Sequence, residues 1–432
     1  MTDLSINSMT PPKDLRWLYV DFNSYFASVE QQLDPRLRGK PVIVIPVETD
    51  STCAIAASYE AKAFGIKTGT PVYEAKKICP GVICVLGRHE HYVEFHNRIL
   101  DEIDNHIPVT KVCSIDEMAC QLMNNERSVG RISAIAQSIK TGLAKNVGEY
   151  VRCSIGVAPS KYLAKVATDL KKPDGFTIVQ TSELPDRLLS LKLRDLPGIG
   201  HNIEQRINRA GIYDMRGLYN LQPKHMRAIW GSLWGEKMWY YLRGYDLPDE
   251  ETNRSSVGHS HVLSPDLRPP AEAYQVARRL VMKASARLRR MEYYAGAFVV
   301  SVRLENGPRV GLEARCQPSQ DSFTFLQLLD ELWQEIVRET KTARIKKVNV
   351  TLHALTAGKD LQVQPDLFDT MKKPAETKQR MRCDKISKAM DALNQKFGKD
   401  TVLLGMTASR SQAFTGTKVA FTRIPDMEEF LE

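Results

Sequence analysis

Short apolar runs along this chain end repeatedly in acidic or small polar residues, and amphipathic stretches separate them. Residues 18–22 (LYVDF) read as a buried strand, because the run is continuous and short. Ser24 then stands as N-cap of a helix opening at Tyr25, and residues 41–45 (PVIVI) predict a second buried strand. Residues 54–65 predict a strand running into a small-residue helix that Gly65 ends. Around Asp116 and Glu117 the setting is apolar, with Ile107, Val109, Val112 and Ile115 before and Met118, Ala119 and Leu122 after. Neighbouring side chains on a straight strand face opposite ways. Both acids therefore reach one site only where the backbone bends between two short strands.

Further on, Ile199, Ile203 and Ile207 predict a helix behind the turn Leu196-Pro197-Gly198-Ile199-Gly200. Trp230, Trp234 and Trp239 fall at helical spacings and are expected in a core. The composition turns polar from Gly244 to Ser256, which marks a linker. After it come a strand (259–263), a helix (271–291), two strands (297–304, 309–316), a helix (321–340) and a strand (345–355). Phe298, Val300, Val302 and Leu304 alternate with Val299, Ser301 and Arg303, as Val348, Val350 and Leu352 do with Asn349, Thr351 and His353: half-buried strands in a βαββαβ order. RNA-recognition modules share that order, but their aromatic-rich stacking strand is missing here. Residues 371–384 are expected to be basic and flexible, 386–397 helical, and 401–404 a short strand.

At 432 residues the chain exceeds one ordinary core and calls for several domains. Its 43% hydrophobic and 26% charged residues are those of a soluble globular protein. No run approaches a membrane span and residues 1–15 contain no hydrophobic signal region, so no membrane partner and a cytoplasmic location are expected. Eight cysteines without a CxxC pair read as reduced packing residues. The net charge of +9 favours a polyanionic partner. Residues 254–360 hold 17 Lys and Arg against 11 Asp and Glu, so most of the excess sits there.

Chemistry narrows the picture. Buried carboxylates are costly unless paired or bound to metal. Asp21 at the end of one strand and Asp116 and Glu117 at a turn between two others make an oxygen cage for a hard divalent ion such as Mg²⁺.

DFNSYFASVE from Asp21, SYEAKAFGIKTGTPV from Ser58, CSIDE from Cys113, CSIGVAPSK from Cys153, KKPDG from Lys171 and LPGIG from Leu196 together resemble, in order and spacing, the Y-family translesion DNA polymerases. The likeness spans roughly residues 15 to 370 and is nearest the bacterial DinB- and UmuC-like members. It implies an α+β multidomain right hand. The palm would comprise 16–45 and 93–185, small fingers 46–92, and a helical thumb with a helix-hairpin-helix 186–245. A linker (246–256) and a βαββαβ little finger (257–360) would follow. Residues 1–15 would be a flexible leader, 361–384 a clamp-binding peptide with a flexible tail, and 385–432 a C-terminal extension.

The resemblance also implies low-fidelity, template-directed deoxynucleotidyl transfer assisted by two Mg²⁺ ions per site. Asp21, Asp116 and Glu117 would be the catalytic ligands, with the Phe22 carbonyl as a further donor. Tyr59, Lys62 and Lys172 would meet the triphosphate; Lys62 stands where the family often has arginine, which grips bidentately. Phe26 would be the gate beneath the sugar that excludes a 2′-hydroxyl, and Tyr25 a core residue. Gly198 and Gly200 would present backbone N–H groups to duplex phosphates. Arg278, Arg279, Lys283, Arg287, Arg289 and Arg290, with no acid among them, would track the DNA backbone. Gln364, Leu367 and Phe368 would plug into a bacterial sliding clamp. The expected partners are thus primer–template DNA, dNTPs and the clamp, with the chain itself monomeric. One rival is a non-catalytic adaptor of the same family. Another is a different palm-type transferase or cyclase, which needs neither a helix-hairpin-helix nor a basic final domain.

Overall fold

Trp17–Phe22 (β1) is the central strand of a five-stranded sheet, which explains its unbroken apolarity. Leu18, Val20 and Phe22 pack into one core with Phe26, Ile99 and Ile155, while Tyr19 faces a second core with Ala119, Ala158 and Leu163. The computed structural model describes residues 10–249, 254–305, 307–341, 343–360, 374–398, 401–405 and 424. The chain divides after residue 249 into two compact units.

In the first unit β1 leads to α1 (Tyr25–Leu33), β2 (Val42–Ile45), β3 (Ala56–Ala57), α2 (Tyr59–Ala63), α3 (Val72–Ile78), β4 (Ile83–Leu86) and α4 (His89–Asp104). Next come β5 (Lys111–Ser114), β6 (Glu117–Gln121), α5 (Val129–Gly142), β7 (Cys153–Ala158), α6 (Lys161–Asp169) and β8 (Phe176–Ile178). Five further helices close it: α7 (Asp186–Leu189), α8 (His201–Arg209), α9 (Met215–Tyr219), α10 (Pro223–Trp230) and α11 (Leu233–Leu242). The large sheet runs β5-β6-β1-β7-β8, with β1 antiparallel to both neighbours. Gly156 on β7 admits α6 at close range, since a Cβ there would stand 2.1 Å from the Ala164 carbonyl oxygen.

Several local expectations are corrected. Residues 41–45, expected in the palm, supply β2, which pairs with β3 and β4 in a separate three-stranded sheet. Ser24 precedes α1 but does not cap it: its backbone is left-handed at φ 50 and its hydroxyl makes no cap bond. The expected leader is tied down from residue 12, where the Pro12 carbonyl accepts from Thr181 and Asp14 pairs with Arg16 and Arg127. The start of the expected linker is fastened as well. Asp246 accepts the Trp17 indole N–H at 2.8 Å, and Asp249 pairs with Lys111 and Lys161. Ion pairs and hydrogen bonds across more than 80 residues of sequence leave no trace in local composition.

Gly198 (φ 91) turns the chain before α8, whose Ile207 is buried beside Ile199. Trp230 lies in this core and Trp239 against it, its indole N–H bonded to the Leu221 carbonyl at 2.7 Å. Trp234 does not follow them. It is 42% exposed and covers the Gly198 turn.

The second unit follows the expected order: β9 (Ser256–Val262), α12 (Pro270–Arg290), β10 (Tyr293–Leu304), β11 (Arg309–Ser319), α13 (Ser322–Thr340) and β12 (Ile345–Ala357). Its sheet is ordered β11-β10-β12-β9, entirely antiparallel. Phe298, Val300, Val302, Val348, Val350 and Leu352 face the core under α12 and α13. Residues 374–384, expected to be a flexible tail, instead begin a long helix, α14 (Pro374–Phe397). Their lysines, arginines, alanine and methionine are good helix formers. Arg289 holds α14 through a two-pronged pair with Asp391 at 2.6 and 2.8 Å, and the Gln320 amide reaches Asp384. The segment 401–404 is not a strand; Leu404 packs on the core of this unit. Of residues 419–425 only Ile424 is described, half-buried against the core of the first unit.

Candidate active site

The bend expected between the two acids is present. β5 and β6 form a tight hairpin with Ile115 and Asp116 at the turn, and the Phe22 N–H donates to the Asp116 carbonyl at 2.9 Å. Register places Asp21 on β1 directly opposite Glu117 on β6. Three carboxylates from two distant stretches of sequence thus gather at one end of the sheet's inner strands.

Two lysines share this place. Lys165 on α6 donates to Asp21 and to Glu117 Oε1, the latter at 2.7 Å. Lys172 reaches Asp21 Oδ1 at 2.7 Å and Asp169 at 2.6 Å. Tyr19 donates its hydroxyl to Glu117 Oε2 at 2.7 Å, and Ser114 donates to Asp116 Oδ1 at 2.6 Å. Asp21 is only 4% exposed, so its charge depends on these ammonium partners. Burial opposes the charge of Lys165, but Asp21 and Glu117 hold its pKa above the usual lysine range. Lys172 is raised likewise, burial being outweighed by Asp21 and Asp169. Burial pushes the Asp116 carboxyl up; the Ser114 hydroxyl pulls it back, and Glu117 and Asp21 add to the rise.

The donors suit a hard divalent cation in kind, being carboxylate oxygens on adjoining strand ends beside the Phe22 carbonyl. Their present positions are those of a lysine-paired cluster, and no three acids among the described residues converge on one ligation point. Lys62 and Tyr59 on α2 border the same cluster. The Lys62 ammonium lies 4.4 Å from the centre of the Tyr59 ring. Burial, then the neighbouring Lys172, lowers the Lys62 pKa below the ordinary lysine value.

Phe26 and Tyr25 are both buried, so the contrast drawn between gate and core residue does not appear in exposure. Phe26 stacks on Tyr92 at 4.4 Å between ring centres and meets His89 edge-on at 5.7 Å. Tyr92 is held in turn: its hydroxyl donates to Glu30 at 2.7 Å, and Arg88 pairs with the same carboxylate. His89 is buried with neither ring nitrogen hydrogen-bonded, and burial pushes its pKa down to about 4. Folded His89 stays neutral where the unfolded chain, titrating near 6.5, takes up a proton. Its contribution to stability is therefore full above pH 6.5 and lost as pH falls toward 4, with about 2 kcal/mol gone by pH 5. His89→Phe is expected to lose less melting temperature between pH 7 and pH 5 than the wild type; equal losses would contradict this.

The remaining expected site residues lie elsewhere. Gly198 and Gly200 flank the turn before α8, with Gly200 at its N-cap. The basic residues of α12 are largely turned inward. Arg279 is 3% exposed and Arg289 bonds Asp391, Ser322 and the Gln320 carbonyl. Arg278 bonds Tyr274, Asp330 and the Leu404 carbonyl. Lys283 and Arg287 are half-buried and Arg290 is exposed. A helix expected to present its charges outward uses three of them inside its own unit. Gln364, Leu367 and Phe368 lie outside the described residues.

Sequence reasoning missed Lys165, Tyr19 and Ser114. Lys165 carried a signal: it stands between Leu163–Ala164 and Val166–Ala167, all buried, and a cation in such a run needs an acid.

Comparisons with known proteins match most of the chain. A family model described as impB/mucB/samB family matches residues 20–169, and the C-terminal domain of that family matches 254–367. A model described as DNA polymerase-iota, thumb domain, matches 194–246. A DNA polymerase IV of Moorella thermoacetica is 30% identical over 419 residues, covering 94% of this chain and 98% of that one. Among solved structures, a Y-family DNA polymerase chimera of Dbh and Dpo4 superimposes with a TM-score of 0.68 at 25% identity, over 79% of this chain and 99% of that one. An insertion ternary complex of Dbh DNA polymerase matches with a TM-score of 0.51 at 25% identity over the same shares. With the family's own model, its C-terminal domain and a thumb-domain model matched in sequence order, and a DNA polymerase IV 30% identical over nearly the whole length, the chain belongs to the Y family of DNA polymerases, on its bacterial DinB-like side.

Proposed function

We propose that this chain is a low-fidelity, template-directed DNA polymerase that copies past damaged template positions. The observation that carries the reading is the meeting of Asp21, Asp116 and Glu117 with Lys62, Lys165 and Lys172 at one end of the sheet: acids to hold cations, and cations to meet a triphosphate. Asp21 and Asp116 would hold two divalent ions between them, Mg²⁺ in this reading, with Glu117 and the Phe22 carbonyl completing the set. Such ions, when bound, stabilise charge on the attacking and leaving oxygens of an in-line phosphoryl transfer.

The chain's own residues do the rest. Lys172 pairs with Asp21 in the free protein and is placed to exchange that partner for a phosphate oxygen. Lys62, partly desolvated and crowded by Lys172, gains most from an incoming anion. Tyr59 lies under the Lys62 ammonium and keeps it from swinging away. Phe26, backed by Tyr92, would stand as a rigid wall beneath the sugar. The palm would be the five-stranded sheet with its helices, the fingers the small sheet with α2 and α3, and the thumb α7–α11.

The basic second unit would track DNA through the open face of its sheet, opposite α12. One cross-strand row of that face is Val262, Lys347, Arg303 and Arg309, and the next is Ser260, Asn349, Ser301 and Gly311. Cations beside small polar residues let a phosphate backbone approach closely. The Dbh polymerase solved as an insertion ternary complex supports primer–template DNA and dNTPs as the partners here. We place the protein in the cytoplasm as a monomer.

Gln364, Leu367 and Phe368 would recruit the polymerase to a sliding clamp. Replacing Leu367 and Phe368 together with Ala is expected to weaken clamp binding at least about 30-fold, the loss of an apolar anchor from its pocket. Incorporation on short DNA should not change. Clamp affinity retained in that variant would remove the docking role.

The overall reading is tested by primer extension with Mg²⁺ on intact and abasic templates. Extension that needs both the metal and the template base is expected, continuing past the abasic position. Folded protein that binds primer–template but adds no nucleotide would instead be an adaptor.

A further inference from the structure

Asn23 follows Phe22 at the end of β1, and its side chain is 2% exposed. Its Oδ1 accepts the Asp174 N–H at 2.8 Å, and its Nδ2 donates to Ser154 Oγ at 3.0 Å. Ser154 lies on β7 opposite Asp21 and accepts the Gly175 N–H at 3.3 Å. Two successive backbone donors of the loop 171–175 are thereby held, one directly from the end of β1 and the next through Ser154, which Asn23 itself bonds. Asp174 sits at φ 55, a left-handed backbone that a non-glycine residue keeps only when its surroundings hold it there. Two residues earlier in the same loop is Lys172, with its ammonium on Asp21 and Asp169.

We infer that Asn23 is a positioning residue: by pinning the 171–175 loop it sets the Lys172 ammonium at the acid cluster, ready for the triphosphate. The inference rests on the nucleotide role proposed for Lys172. A lysine stem is long and flexible, so fixing the backbone that carries it narrows the range of places its charge can reach. An amide suits the task because one planar group supplies both the acceptor and the donor used here. It does so without adding a fourth negative charge beside Asp21, Asp116 and Glu117. Lys140 also holds the loop, through the carbonyl and carboxylate of Asp174, but from α5. Asn23 links it to the catalytic strand itself.

The test is the dNTP dependence of single-turnover primer extension. Asn23→Leu leaves the Asp174 N–H without its acceptor. It is expected to raise the apparent Kd for dNTP roughly tenfold while the maximal rate falls less than about threefold, the mark of lost positioning rather than lost chemistry. Lys172→Ala raises the same constant, and the combined variant is no weaker than Lys172→Ala alone.

An unchanged dNTP constant in Asn23→Leu beside a raised one in Lys172→Ala overturns the inference and leaves the role of Lys172 standing. Fully additive losses overturn it as well. An unchanged constant in Lys172→Ala overturns both. Should Asn23→Leu not fold, Ser154→Ala reads the same link: a raised constant supports it and an unchanged one ends it.

Discussion

Asp116→Ala is expected to lower nucleotide incorporation by at least about 10³-fold, the scale of removing a metal-holding charge from a phosphoryl-transfer site. Asp116 is the most informative of the three acids because its partners are the least entangled. Its carboxylate accepts from Ser114, whereas Asp21 is bonded to both Lys165 and Lys172, and Glu117 to Lys165 and Tyr19. Removing Asp21 would take one carboxylate from each of two ammonium groups, leaving Lys165 to Glu117 and Lys172 to Asp169, and packing around the buried strand end would change along with the chemistry. Asp116→Ala leaves both lysines paired, so its melting temperature and its affinity for primer–template should stay near wild type. Single-turnover extension beside a DNA-binding titration separates the two effects. Incorporation at the wild-type rate would take the catalytic role away from this cluster.

The second large effect concerns the sugar. Phe26→Ala is expected to raise ribonucleotide use relative to deoxyribonucleotide use by roughly 10²-fold, since a steric filter discriminates only as far as it cannot yield. The surroundings of Phe26 make it unyielding: Tyr92 stacks behind it, Glu30 and Arg88 fix Tyr92, and His89 closes the side. Removing so buried a ring also costs about 3–5 kcal/mol of stability. The comparison is therefore a ratio of the two substrates measured on the same folded sample. Tyr25→Phe, which loses only the hydroxyl bonded to the Tyr92 carbonyl, is the control that should leave the ratio unchanged. Ribonucleotides still excluded by Phe26→Ala would place the gate elsewhere.

What was legible in the sequence followed from physics that acts locally. An apolar run ending in Asp21 and a hairpin bent at two adjacent acids announce buried strands and a cluster of charge, and both are found. The βαββαβ unit was legible because its strands largely alternate between a core face and an open face. What stayed hidden depended on partners far away in sequence. β2 reads like β1 in apolarity, and only its pairing with β3 and β4 removes it from the palm sheet. Lys165 looks like any helical lysine until Asp21, 144 residues earlier, is folded beneath it. The arginines of α12 look like a solvated stripe because nothing local reveals that Asp391 receives Arg289. The adaptor rival loses ground for the same long-range reason, since all three acids and their lysines are assembled.

That last pair has a consequence for modularity. Arg289 is nearly inaccessible to water, and its carboxylate partner comes from α14, beyond the segment that forms the βαββαβ unit. A chain shortened after β12 would keep every strand of that unit but leave Arg289 without its counter-charge, on a surface opened to water where α14 had packed. The βαββαβ unit of this polymerase is thus not a cassette ending at its last strand. Grafted onto another palm and thumb, it should be transplanted with its C-terminal helix attached.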